Sequence, residues 1–203
     1  ENFPQLQNAA TDARGMAKKL GELGFDVILK LDASRRDIGR SLAEFEGMAA
    51  NAEAALVFYA GHGVQADGKN YLIPSNAIIE AEVDLATEGI SSSLILEKME
   101  NARANLNIVI LDACRDNPLT NRSRSAARGL TITAMPGQLG GTVIVYSAAP
   151  GQVALDGPAG GYGVFTGALL DVLDEPGLKL EDVFKQTASK VAAASYGKQK
   201  PWI

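Results

Sequence analysis

Cysteine and histidine are nearly absent from this chain, which holds one of each in 203 residues. A single cysteine excludes an internal disulfide, and one thiol with one imidazole falls short of a zinc ligand set. Basic charge is not in excess: 19 Lys and Arg stand against 24 Asp and Glu, a formal net charge of -5. No basic stripe with interleaved aromatics occurs, so neither nucleic acid nor an anionic membrane is the expected partner. No apolar run approaches the length of a transmembrane helix. The opening Glu1-Asn2-Phe3-Pro4 is no signal peptide, although a removed one would leave no trace. The compartment therefore stays open, with a soluble cytoplasmic chain slightly favoured over a periplasmic or secreted one.

What is present is an ordinary globular composition, 46% hydrophobic and 21% charged. The length suits one domain with a sizeable core. Apolar spacing predicts helices over residues 8–23, 37–52 and 91–104, and near 164–174 and 180–195. Short apolar runs predict strands at Phe25–Leu31, Ala54–Tyr59, Asn107–Leu111 and Thr142–Ser147. Residues 64–79 read as a hairpin turning at Asp67-Gly68, with Tyr71-Leu72-Ile73 as the return strand. Residues 115–141 carry four arginines among Asn, Ser, Thr, Pro and Gly, and read as a long exposed loop; 148–163 read as a Gly/Pro-rich one. Strands alternating with helices indicate an α/β fold, a mainly parallel sheet covered on both faces. Such folds bind ligands at the carboxyl ends of their strands. No Gly-x-Gly-x-x-Gly or P-loop motif occurs, which disfavours a nucleotide-type binding domain.

The lone His62 and the lone Cys114 both follow directly after predicted buried strands. His62 lies in Tyr59-Ala60-Gly61-His62-Gly63 and Cys114 in Asp112-Ala113-Cys114-Arg115-Asp116. A thiolate attacks, an imidazole takes and returns the proton, and backbone N–H groups stabilise the oxyanion. Gly63 and Cys114 are the candidate N–H donors. A lone Cys is usually a small buried hydrophobe, and a lone His between glycines can be a turn residue. The joint placement of both at strand ends argues for chemistry instead.

These two motifs resemble those of the caspase-like cysteine peptidases, including metacaspases and their bacterial relatives. The separation of 114 − 62 = 52 residues fits, since caspase histidines lie about 50 residues upstream of the cysteine. Asn8-Ala9-Ala10-Thr11-Asp12-Ala13, Gly24-Phe25-Asp26-Val27 and Tyr146-Ser147-Ala148-Ala149-Pro150-Gly151 extend the resemblance along the chain. It implies a three-layer α-β-α sandwich and a Cys114–His62 dyad with Gly63 and Cys114 as the oxyanion hole. It also implies one catalytic domain: a large-subunit-like part to about residue 120, the linker at 115–141, and a small-subunit-like part over 142–203. The family has a strand before the first helix and continues past the Pro201-Trp202 motif, so a chain trimmed at both ends is expected.

The resemblance also addresses specificity. Two positions before the cysteine, metacaspases that cut after Arg or Lys carry Asp and caspases that cut after Asp carry Gln; here it is Asp112. Asp12 matches a second metacaspase pocket acid. Ala60 stands where metacaspases often have Ser. Asp156 falls where caspases place a pocket Arg, and Leu6 where they place another. Two carboxylates close together repel unless a cation lies between them, and an Arg can be held bidentately. The expected partner is therefore a protein or peptide with a basic residue before the scissile bond (P1). The bland readings are a strand-end turn residue or N-cap for Asp112, and an exposed first-turn acid favoured by the helix dipole for Asp12. The alternatives are an active protease of acidic preference and a silent, protease-like scaffold. No resident cofactor or metal is expected. Calcium activates some relatives, but no EF-hand-like loop occurs, and the oligomeric state is left open.

Arg122, Arg124 and Arg128 are either solvated loop residues or, in a family whose linker is often cut during maturation, self-cleavage sites. For any single arginine the solvated reading is favoured; mass spectrometry of stored protein decides, since cleavage after one of them would support maturation and intact chains at full activity would end that idea.

Overall fold

The computed structural model describes residues 3–114, 141–150 and 152–203, with the backbone alone of Cys114. In chain order the elements are α1 (Ala9–Glu22), α2 (Arg35–Met48), β1 (Ala54–Ala66), β2 (Lys69–Leu72), α3 (Leu85–Glu88), β3 (Ile90–Ser91), α4 (Ser92–Ala102), β4 (Leu106–Cys114), β5 (Thr142–Tyr146), α5 (Val164–Leu173) and α6 (Leu180–Ala194). The sheet order is β3-β2-β1-β4-β5. β1, β4 and β5 run parallel, and β2 and β3 extend the sheet antiparallel.

The layers follow from the pleat, which sends successive side chains to opposite faces. Along β4, Val109, Leu111 and Ala113 pack into one core with Leu42 and Ala49 at α2 and Ile95, Leu96 and Met99 of α4. Ile108 and Ile110 pack into the other, with Met16 and Leu20 of α1, Phe165, Leu169 and Val172 of α5, and Val183, Phe184 and Val191 of α6. Covering both faces explains why β1 and β4 read as continuous apolar runs rather than alternating ones. A third, smaller cluster of Val64, Ala66, Ile73, Ile79 and Leu85 fills the space by the hairpin. The expected three-layer α/β architecture is thus present. Among the described residues no helix is long and apolar enough to cross a membrane.

Local signals account for most boundaries. The hairpin turns at Asp67-Gly68 as expected, with φ of 47° and 72°, the left-handed pair that a two-residue type I′ turn needs. α2 begins earlier than its apolar spacing suggests because Ser34 and Asp37 form a reciprocal capping box.

One expected strand is absent. Phe25–Leu31 forms no ladder, and Val27 and Leu29 are 40% and 42% exposed. Its apolar run suits a strand, but a strand exists only against a partner, and none of the described strands pairs with it. Only Phe25 packs against the α1–α5–α6 core. The two-residue β3 went unread because so short a run has no period. Of the loop expected at 115–141, only Gly141 lies within the described residues, where it precedes β5.

Phe165 is 1% exposed in the core between the sheet and α5. Phe165→Ala should cost about 3–5 kcal/mol of unfolding free energy, measurable by denaturant titration; a loss below 1 kcal/mol would show that the core closes over the gap.

Candidate active site

Parallel pairing of β1 with β4 sets Ala60 beside Asp112, Gly61 beside Ala113 and His62 beside Cys114. The two sequence motifs thus lie on neighbouring strands, whose backbones are about 4.8 Å apart, at the carboxyl end of the sheet. Beyond His62, β1 leaves β4 and continues with β2: Gly63, which is buried, pairs with Leu72. His62 therefore sits where β1 changes partners.

Several groups fix that turning point. The His62 carbonyl accepts the Ile73 N–H at 3.0 Å and the Tyr59 hydroxyl at 2.9 Å. The same hydroxyl lies 3.1 Å from the Ile73 carbonyl. Tyr59 folds back over Gly61, where a Cβ would come 2.4 Å from the phenolic oxygen; glycine is required there for space. The imidazole is oriented from the other side. Its Nε2 lies 2.7 Å from the Pro4 carbonyl oxygen, and the Phe3 ring stands 5.1 Å from it, tilted by 42°. A carbonyl can only accept, so Nε2 carries the proton and donates, and in the neutral ring Nδ1 keeps the lone pair.

Beside the strand ends is a small pocket into which Asp12, Asp112 and Asp156 converge, with Ala60 and Gly61 of β1, Leu6, Leu155 and Gly163 completing its wall. The pleat explains Asp112. Continuing the Ile108–Ile110 alternation puts its side chain on the face of α1 and α5. There its Oδ2 accepts the Thr166 hydroxyl at 2.6 Å, and the Ser147 hydroxyl also bonds to the carboxylate. Asp12 lies one turn before Met16 and Leu20 on the buried stripe of α1 and is only 4% exposed. Its Oδ1 accepts the Gly163 N–H at 2.8 Å. Asp156 accepts the Gln7 N–H at 3.0 Å.

Loss of water pushes the Asp12 carboxyl up to about 7, and the nearby Asp112 and Asp156 charges add to this against the Gly163 N–H. Desolvation likewise holds Asp112 above the usual carboxylate range, against the two hydroxyls that favour its charge. Among the described residues no Lys or Arg lines the pocket.

The structure therefore brings together Asp12, Ala60, Asp112 and Asp156, and with them Leu6. Arg122, Arg124 and Arg128 lie outside the described residues. Asp12 is not the exposed first-turn acid that its position in α1 also allowed. Unread from sequence were the Pro4 carbonyl, Phe3, Thr166 and Ser147. Only Ser147 carried a signal, within the segment Tyr146–Gly151.

Strand-end His and Cys positions in register at the carboxyl end of a three-layer α/β sheet match the build of a cysteine-peptidase domain. The chain belongs to the caspase domain family, whose model matches residues 1–203. It is 27% identical over 114 residues to human mucosa-associated lymphoid tissue lymphoma translocation protein 1, a match covering 55% of this chain and 13% of that protein; the Mus musculus homologue matches to the same extent. The chain thus spans a small part of the length of those relatives. Solved structures share the fold, among them these three. A protein from Geobacter sulfurreducens superposes with a TM-score of 0.69 at 15% identity, covering 98% of this chain and 83% of that one. Caspase-1 from Spodoptera frugiperda gives 0.68 at 16% identity, covering 98% and 79%. The Drosophila initiator caspase Dronc gives 0.65 at 12% identity, covering 95% and 69%.

The carboxyl near 7 has a consequence for stability. Between about pH 4 and about pH 7 the folded chain holds a proton on Asp12 that the unfolded chain has released. Unfolding free energy therefore falls as pH rises through that window. Asp12→Asn should give a shallower fall, read from thermal melts across the range, and equal slopes in both proteins would refute the assignment.

Proposed function

We propose that this chain is a cysteine endopeptidase that uses a Cys114–His62 dyad and cleaves after Arg or Lys. The observation that carries the proposal is the residue-for-residue pairing of the two motifs on β1 and β4, with three carboxyl groups converging beside them.

The chemistry follows from the groups present. With Nε2–H committed to Pro4, Nδ1 of His62 is the basic nitrogen and takes the Cys114 proton. The thiolate attacks the scissile carbonyl, and the N–H groups of Gly63 and Cys114 receive the developing oxyanion. The imidazolium then protonates the leaving amine, releasing one product and leaving an acyl-thioester. A water molecule, deprotonated by His62, attacks the thioester; the acid product leaves and the proton returns to sulfur. The Pro4 carbonyl stabilises the imidazolium through the Nε2–H bond, the part a third catalytic side chain plays elsewhere.

Specificity rests on the acid pocket. Crowded carboxyls held partly protonated gain most from a cation, since a guanidinium or ammonium removes their repulsion and favours their charged form. An acidic P1 residue would meet like charge, which weighs against acidic preference. Presence of both dyad residues favours an enzyme over a silent scaffold. Protein or peptide substrates accord with the family, and the relatives' own biology is not carried over.

Peptides differing only in Arg, Lys, Asp or Leu at P1 test this directly. Arg and Lys peptides should be cleaved, with Asp slowest. Cys114→Ala should lose at least about a thousandfold in kcat. Activity surviving in Cys114→Ala would refute the dyad, and a preference for Asp would refute the pocket.

A further inference from the structure

Asp156 reaches the pocket from an irregular loop, Leu155–Gly163, that contains Gly157, Pro158, Gly160 and Gly161. Gly157 and Gly160 have φ of 73° and 77°. Such a segment makes few hydrogen bonds of its own, so its backbone groups need outside partners. Two fully buried carboxamides supply them, and both are 0% exposed.

The first is Asn8. Its Nδ2 donates to the Asp156 carbonyl and, at 2.9 Å, to the Pro158 carbonyl. Its Oδ1 accepts the Gly160 N–H at 3.1 Å. Asn8 precedes α1, yet its side chain makes no capping bond to that helix; the loop takes it instead. The neighbouring Gln7 N–H holds the Asp156 carboxylate. Asp156 is therefore fixed by both main chain and side chain to Gln7-Asn8.

The second is Gln199, which follows α6. Its Oε1 accepts the Leu155 N–H at 3.0 Å, and its Nε2 donates to the Ser147 carbonyl at 2.8 Å. Its own backbone is clamped by the Ser195 hydroxyl, which accepts the Gln199 N–H at 3.0 Å and donates to its carbonyl at 3.2 Å. Gln199 thus links the start of the loop to Ser147, whose hydroxyl bonds to Asp112. A carboxamide offers donor and acceptor from one planar group and carries no charge that burial would penalise.

We infer that Asn8 and Gln199 are positioning residues for substrate selection, holding the Asp156-bearing loop so that its carboxylate joins Asp12 and Asp112 at the pocket. The inference rests on reading that pocket as the P1 subsite. Neither amide lines the pocket, and both act through Asp156 and its loop.

The isosteres Asn8→Asp and Gln199→Glu keep shape and acceptor and remove the donor. Three readouts separate the roles: steady-state cleavage of an Arg-P1 peptide, alkylation of Cys114 by iodoacetamide, and hydrogen exchange of the Leu155–Gly163 amides. Each variant should exchange faster over that loop and raise KM about tenfold, with kcat and alkylation within about twofold of wild type. Asp156→Asn should raise KM without faster exchange. Unchanged exchange would overturn the inference, as would faster exchange at constant KM. So would kcat and alkylation falling in step with KM, or failure of both isosteres to fold, since either assigns the amides to stability alone. A wild type without basic preference would instead overturn the pocket reading, and the exchange data would still decide whether the amides hold the loop.

Discussion

The ladder between β1 and β4 is the constraint on which the other features depend. It runs without a bulge from Ala54 beside Leu106 to His62 beside Cys114. Each strand thus delivers its motif at the same height. Because the pleat alternates, the ladder also fixes which face each residue serves. Asp112 and Ala60, paired across it, fall on the α1–α5 side, where Asp12 and Thr166 wait. A slip of one residue would turn Asp112 toward the opposite, mainly apolar core and away from Thr166. The same register that builds the core thereby places the chemistry.

Around that ladder the site separates two electrostatic tasks. The His62 side is arranged by neutral dipoles: one carbonyl for the imidazole, one hydroxyl and one N–H for the backbone that carries it. The pocket side gathers carboxyls with hydroxyl and N–H donors and no cation among its described lining residues. The first arrangement holds both the ring and the backbone that carries it. The second strips its carboxyls of water, which is the main reason Asp12 and Asp112 are raised, and their mutual repulsion adds to it. A basic side chain entering the pocket would therefore displace protons as well as water.

Much of this was legible in the sequence, for reasons that can be named. β1 and β4 were readable because burial on both faces leaves unbroken apolar runs, and the hairpin because Asp67-Gly68 supplies two left-handed residues. The pairing of His62 with Cys114 followed from strand ends and a resemblance to known motifs. Phe25–Leu31 misled because hydrophobic content reports burial, whereas strand formation also needs a neighbour with free backbone groups. Pro4 was invisible for a different reason. It acts through a carbonyl that every residue possesses, so no residue type marks it. Thr166 and Gln199 were hidden because their partners are over fifty and over forty residues away. Asn8 read only as the start of a motif before α1, and only the three-dimensional path of the later loop reveals what it holds.

The ladder also shows what the spacing of 52 residues means. β1 and β4 run side by side in the same direction, and the chain between them makes an excursion through the hairpin, β3 and α4. Lengthening that excursion would change the count and leave His62 beside Cys114, provided both strands kept their phase. The number is thus the length of a detour and carries no geometric requirement. Distant relatives are better sought by two strand ends of matching phase, one closing in histidine and one in cysteine, than by any fixed interval.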